Sequence, residues 1–164
     1  GLVRKIGASF YSAGQIDAIL KKYSLDLVQL PLNVLDQRLI NSGHLEKLKK
    51  LSIEIHVRSV FLQGLLLMNP DDLPEYFESV RAHLKRYHRF VAKRDVPPLL
   101  AALCFAQNFN EIDAIIIGVV NSAQLSEIFE ACEKVCTMAP NDYRNFAWDD
   151  EAILNPSRWK VSRG

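Results

Sequence analysis

Four runs dominate the sequence: VRKIGAS, LDLVQLP, IEIHVRS and IDAIIIGV, residues 3–9, 25–31, 53–59 and 112–119. Each is short and reads as a strand, the last being rich in β-branched residues. Between them the apolar residues change period. After the first run Ile16, Ile19, Leu20 and Tyr23 recur at i, i+3, i+4 and i+7, one face of a helix. Ser12 with Gln15 three positions on has capping-box spacing, as does Asn121 with Gln124. Leu45, Leu48 and Leu51 predict a helix in HLEKLKKLS, and two more are expected over Leu73–Lys93 and Pro98–Gln107. Leu125, Ile128, Phe129, Cys132 and Val135 read as the buried stripe of a last helix. Strand and helix thus alternate four times, the pattern of an α/β chain with a parallel sheet and helices outside it. The tail after Pro140 has no period, and Phe146, Trp148 and Trp159 are expected to pin it to the body. The division is therefore 1–138 for the four βα units and 139–164 for the tail.

Two architectures fit that order. An open doubly wound sheet usually carries G-x-G-x-x-G after its first strand, whereas GASFYSAG has glycines only at positions 7 and 14. The alternative is part of a TIM-type (β/α)8 barrel, which usually needs about 250 residues. Four βα units are half of that set.

Composition narrows the partners. The 164 residues are 49% hydrophobic, enough for one sizeable core, and 20 Lys and Arg against 19 Asp and Glu leave a net charge of +1. No basic stripe interleaved with aromatics points to nucleic acid, and the positive run Arg81–Arg94 reads as a solvated helix face. No long apolar span suggests a membrane. Cys104, Cys132 and Cys136 have no matching His/Cys pair for a metal and read as core thiols of a reducing, cytoplasmic compartment. The four histidines, His44, His56, His83 and His88, lack ligand spacing, so no metal site is expected. The chain opens without Met on a strand, and we expect it to be cut from something longer.

Gln29 and Asn33 interrupt the apolar second strand and its loop. A buried amide without a partner costs about 1–3 kcal/mol, so something must satisfy them. Here the residues resemble a known family. VRKIGASFYS is similar to the R-x-I-G-x-S strand of the aldo-keto reductases, and DLVQLPLNVLDQR to their next strand. SIEIHVRSVFLQGLL resembles the third, with Ser52 where a Gly is common, and IDAIIIGVVNSAQLSEI the last strand with the cofactor-clamping helix. The likeness runs from about residue 3 to 136, in order.

The resemblance implies a half-barrel, strands five to eight of the family's barrel, which cradles NADP or NAD. It places Ser9 and Gln29 on the nicotinamide carboxamide and Arg58 where an aromatic ring often stacks on the nicotinamide. Ser59, Phe61 and Gln63 fall around the pyrophosphate, with Gly64 allowing close backbone approach. Gly118 and Gln124 lie beside the adenosine phosphate, and Glu127 on the adenine side. Phe10, Gly118, Val119, Gln124 and Ile128 depart from the family's frequent Asn, Lys, Ser, Arg and Asn. Asn33 reads as a loop organiser or rim residue. The catalytic Asp, Tyr, Lys and His of the family belong to the first four strands, so no catalytic residue is assigned here. Tyr23 and Tyr87 are expected on apolar helix faces and Tyr11 as pocket lining. The implied parent is an NAD(P)H-dependent oxidoreductase reducing a small carbonyl substrate; the alternative is a non-catalytic binding or scaffold module. Open edges, and inward side chains at Ile6, Val28, Ile55 and Ile115 or their register neighbours, predict pairing with an N-terminal half-barrel or a second copy.

Overall fold

The computed structural model describes residues 1–134 and 140–160. Four parallel strands, β1 (Gly7–Ser9), β2 (Leu27–Pro31), β3 (Glu54–Arg58) and β4 (Ala114–Ile115), form one sheet in sequential order. The helices are α1 (Ala13–Leu20), α2 (Arg38–Asn41), α3 (His44–Lys50), α4 (Glu78–Ala92), α5 (Pro98–Gln107), α6 (Ser122–Cys132) and α7 (Glu151–Leu154). The sheet is open, and its parallel strands alternate with helices in an α/β fold.

The inner strands match their apolar runs, while the outer two are shorter than expected because each has a ladder partner on one side only. At β1 the chain comes so close to β2 that a Cβ on Gly7 would lie 2.6 Å from the Leu27 carbonyl oxygen. Only glycine tolerates that approach. At β4 the Asp113 carboxylate takes the Ile55 N–H at 2.8 Å and pairs with Lys49, tying the edge down where the ladder stops. Both predicted capping boxes form: Ser12 Oγ accepts from the Gln15 N–H, and Gln15 Oε1 accepts from the Tyr11 N–H. The stretch expected as helix from Leu73 begins instead as a 3-10 turn, Glu75–Phe77, behind Pro74, whose ring excludes it from a helix interior.

Register places Val28 beside Ile55 and Leu30 beside Val57, and all four are fully buried under the helices. The opposite face carries Gln29, Glu54, His56 and Arg58, each only partly buried. This corrects the expectation of a greasy inner face. Val28 and Ile55 point to the helices, Ile115 is partly buried against the core, and only Ile6 is widely exposed. The inner face is polar instead: Glu54 Oε1 lies 2.6 Å from His56 Nε2, and Lys5 pairs with the other carboxylate oxygen. Both partners hold the Glu54 carboxyl below its ordinary range, Lys5 more than His56.

Further corrections concern α6 and the cysteines. Leu125 and Phe129 are 43% and 63% exposed, and Ala131 is the buried residue of the helix. α6 packs on α5, and among the described residues nothing covers its outer stripe. Cys132 is exposed with a free thiol, whereas Cys104 is buried and disulfide-bonded. Neither is the core thiol expected; Val135 and Cys136 lie outside the described residues. Tyr23 is exposed past the end of α1, while Tyr87 is buried, its hydroxyl pushed far above its ordinary range by desolvation. Tyr143 and Phe146 are buried and Trp148 and Trp159 partly so, so the tail packs on α4 and α5. No described helix is long and apolar enough to cross a membrane.

Candidate functional site

The C-terminal ends of β2, β3 and β4 open into a cleft of about 530 Å³, within the range of small-molecule sites. Gln29, at the middle of β2, stands at one end. It is half-buried rather than buried, and its side-chain amide has no hydrogen-bond partner among the described residues. Arg58, Ser59, Phe61 and Gln63 form one wall, and Gly118, Gln124 and Glu127 the far end. Eight of the nine residues singled out in the sequence thus line one cleft. Ser9 does not. It is the register partner of Gln29 on the same sheet face but is exposed on the edge strand, outside the cleft.

The wall after β3 is a coiled loop held in an unusual conformation. Ser59, Leu62 and Gln63 have positive φ (62°, 48° and 54°), followed by Gly64 at 86°. Non-glycine residues pay for such backbone, and it persists where surrounding structure fixes it. Asn33 does part of the fixing. It is fully buried, donates Nδ2 to the Ser59 carbonyl at 3.1 Å, and accepts the Leu35 and Asp36 N–H groups on Oδ1, both at 2.9 Å. It is therefore the loop organiser of the two readings. Leu62, also fully buried, anchors the loop from below. Gly64 takes the left-handed turn at the end of this run, and no protein atom fills the space where a Cβ would stand.

Arg58 stacks on the Tyr11 ring, with 4.4 Å from guanidinium carbon to centroid. Among the described residues it is the single Lys or Arg lining the cleft, and Glu127 the single acid. At the far end Asn121 Oδ1 accepts from the Gln124 N–H at 2.9 Å, and Gln124 Oε1 accepts from the Val120 N–H at 3.1 Å. The capping box therefore occupies the Gln124 oxygen and leaves its NH₂ toward the cleft. Sequence reasoning missed the apolar lining from Leu67, Leu99, Ile116 and Ile117; Pro98 starting a helix is the one signal that could have placed Leu99 near a strand end. It also missed a second hollow of about 480 Å³, where Pro156, Ser157 and Trp159 of the tail face Tyr11, Arg58, Ser59 and Gln63. Among the described residues no cluster of His, Cys, Asp and Glu could hold a metal.

The Aldo/keto reductase family model matches residues 1–144. No curated protein matches the sequence. Among solved structures, the holo form of aldo-keto reductase AKR11C1 from Bacillus halodurans is similar with a TM-score of 0.69 at 18% identity, over 91% of this chain and 52% of that one. Its apo form gives 0.69 at 19%, over 91% and 53%. At this identity the likeness concerns the fold, and the chain spans about half the length of those structures.

Proposed function

Given that the chain belongs to the aldo/keto reductase family, we propose that it is the cofactor-cradling C-terminal half of an NAD(P)H-dependent carbonyl reductase's barrel, with the catalytic tetrad on the other half. The observation that carries this reading is the convergence of eight separately placed residues on one cleft at the strand ends, where sites of this architecture lie. The residues fit a dinucleotide at its nicotinamide end. The free amide of Gln29 can both donate to and accept from a carboxamide. The hydroxyl of Ser59 and the NH₂ of Gln63 and Gln124 can donate to phosphate oxygens, and Arg58, already stacked on Tyr11, offers the one positive charge. Gln29 and Arg58 would hold a nicotinamide here, whose chemistry would be hydride donation to a carbonyl carbon. The remaining work of this chain is to orient that group and keep water out with Val60, Leu67, Ile116 and Ile117. The second hollow, sharing Arg58, Ser59 and Gln63 with the cleft, is where a small carbonyl substrate would enter.

Titration calorimetry tests the reading. A dinucleotide should bind, and Gln29→Leu should weaken NADH more than ADP-ribose, which lacks the nicotinamide; equal effects would remove Gln29 from the carboxamide site. With Arg58 the single cation in the cleft, NADPH should bind no more tightly than NADH. The sparse charge and the exposed Ser9 favour a second reading, a non-catalytic binding or scaffold module. Absence of dinucleotide binding even when the barrel is complete would select it. A cytoplasmic setting stays part of the proposal, but the bonded Cys104 removes the free-thiol argument for it.

A further inference from the structure

We propose a second ligand site, for a small polyphosphate anion, in the hollow between α4 and the tail segment Pro140–Phe146. Arg86, Arg89, Phe90, Lys93 and Arg94 follow i, i+3, i+4, i+7 and i+8, so they share one face of α4 and its C-terminal end. They line a hollow of about 690 Å³ against Asp142, Asn145 and Phe146. Four cations against one carboxylate leave three net positive charges there, in a protein whose net charge is +1. The neighbouring cations of the same helix differ. Arg81 pairs with Glu78, and Lys85 with Asp71. Among the described residues no carboxylate lies within ion-pair distance of Arg86, Arg89, Lys93 or Arg94.

The guanidiniums are held in place. Arg86 Nη2 donates to the Asn145 carbonyl at 2.7 Å and meets His83 Nδ1 at 3.1 Å. Arg89 Nε donates to the Lys85 carbonyl at 3.2 Å. Arg94 donates to the Phe90 carbonyl at 3.3 Å and stacks on the Phe90 ring at 3.8 Å. Each uses one or two N–H groups this way and keeps others for a ligand. Like charges at i, i+4 spacing destabilise a helix, and a multivalent anion relieves that repulsion through charge-assisted hydrogen bonds. From Arg86 to the end of the helix at Ala92 the rise is about 9 Å, with Lys93 and Arg94 just beyond it. That reach matches a di- or triphosphate, and because Arg81 and Lys85 are neutralised beyond it, the field does not continue into the extended track a nucleic-acid strand needs. The inference is independent of the cofactor cleft.

Calorimetry with inorganic tripolyphosphate at low ionic strength is the test. Saturable binding is expected, weakening as salt rises. Arg89→Glu with Lys93→Glu should reduce affinity at least about tenfold, while Lys22→Glu, exposed just past α1 and outside the cleft and both hollows, should leave it unchanged. Both α4 positions are exposed; should the charge reversal not fold, Arg86→Gln with Arg94→Gln gives the same readout. Undiminished binding in the α4 variants, an equal loss in Lys22→Glu, no saturable binding, or tighter binding of a single-stranded oligonucleotide than of tripolyphosphate would each overturn the proposal.

Discussion

Asn33 shows how a polar residue in an apolar run is satisfied without a ligand. Its three hydrogen bonds join the loop after β2 to the strained turn after β3. Asn33→Ala should leave buried N–H and C=O groups without partners and cost about 1–3 kcal/mol in denaturant unfolding, and dinucleotide affinity should fall with it as Ser59 and Gln63 lose their positions. Ser52 carries the opposite lesson. It has φ of 58° at the turn into β3, a conformation that glycine adopts without strain. Ser52→Gly should stabilise the protein by about 0.5–1 kcal/mol, read as a higher urea midpoint with an unchanged slope. The position was legible in the sequence as a Gly lost from a family pattern; its reason is visible only in the backbone. By their flanking leucines and valines Gln29 and Asn33 look alike, and only the family resemblance assigned one to a carboxamide and the other to the loop or rim. What separates them is that one amide is enclosed by its own loops and the other faces a cleft.

Among the elements, α4 is fastened by two histidines. His83 Nε2 bonds the Phe146 carbonyl at 3.0 Å and His88 Nε2 the Leu66 carbonyl at 3.0 Å, so the helix holds the tail on one side and the β3 loop on the other. Burial lowers both imidazoles below their ordinary 6.5, against the raising effect of those carbonyls. With the folded value depressed, the unfolded chain binds more protons as pH drops. Stability is thus full above about 6.5 and lost progressively below it, down to the folded values. The melting temperature should fall between pH 7 and pH 5, and replacing both residues by Gln should flatten that slope; an unchanged slope would assign the acid sensitivity to other groups. The strands, the two capping boxes and α5 were legible because period and capping chemistry are local. The stripe of α6 was not, because its periodicity states only which residues share a face. Whether a neighbour covers that face depends on what lies beyond β4, and Phe129 remains exposed.

For the whole molecule, the sheet ends on two unpaired edges, β1 and β4, which invite further strands. Sedimentation at micromolar concentration should show a self-associated species, or a complex when a complementary four-stranded half is supplied. A stable folded monomer that ignores that half would overturn the proposed half-barrel pairing. The driving force differs from the one composition suggested, since the apolar side chains of β2 and β3 are already covered by helices. What the inner face presents is a row in which Ser9, Gln29 and His56 are register neighbours, with Glu54 and Lys5 beneath. Closing over this row requires side chains or water that can answer each donor and acceptor, because stranded polar groups are costly. An apolar strand from an unrelated protein could satisfy the backbone of either edge, yet it would bury the Lys5–Glu54–His56 network without relief. The polar inner face therefore acts as a password: the sheet's edges accept many strands, but its centre admits only a mate carrying the matching reply.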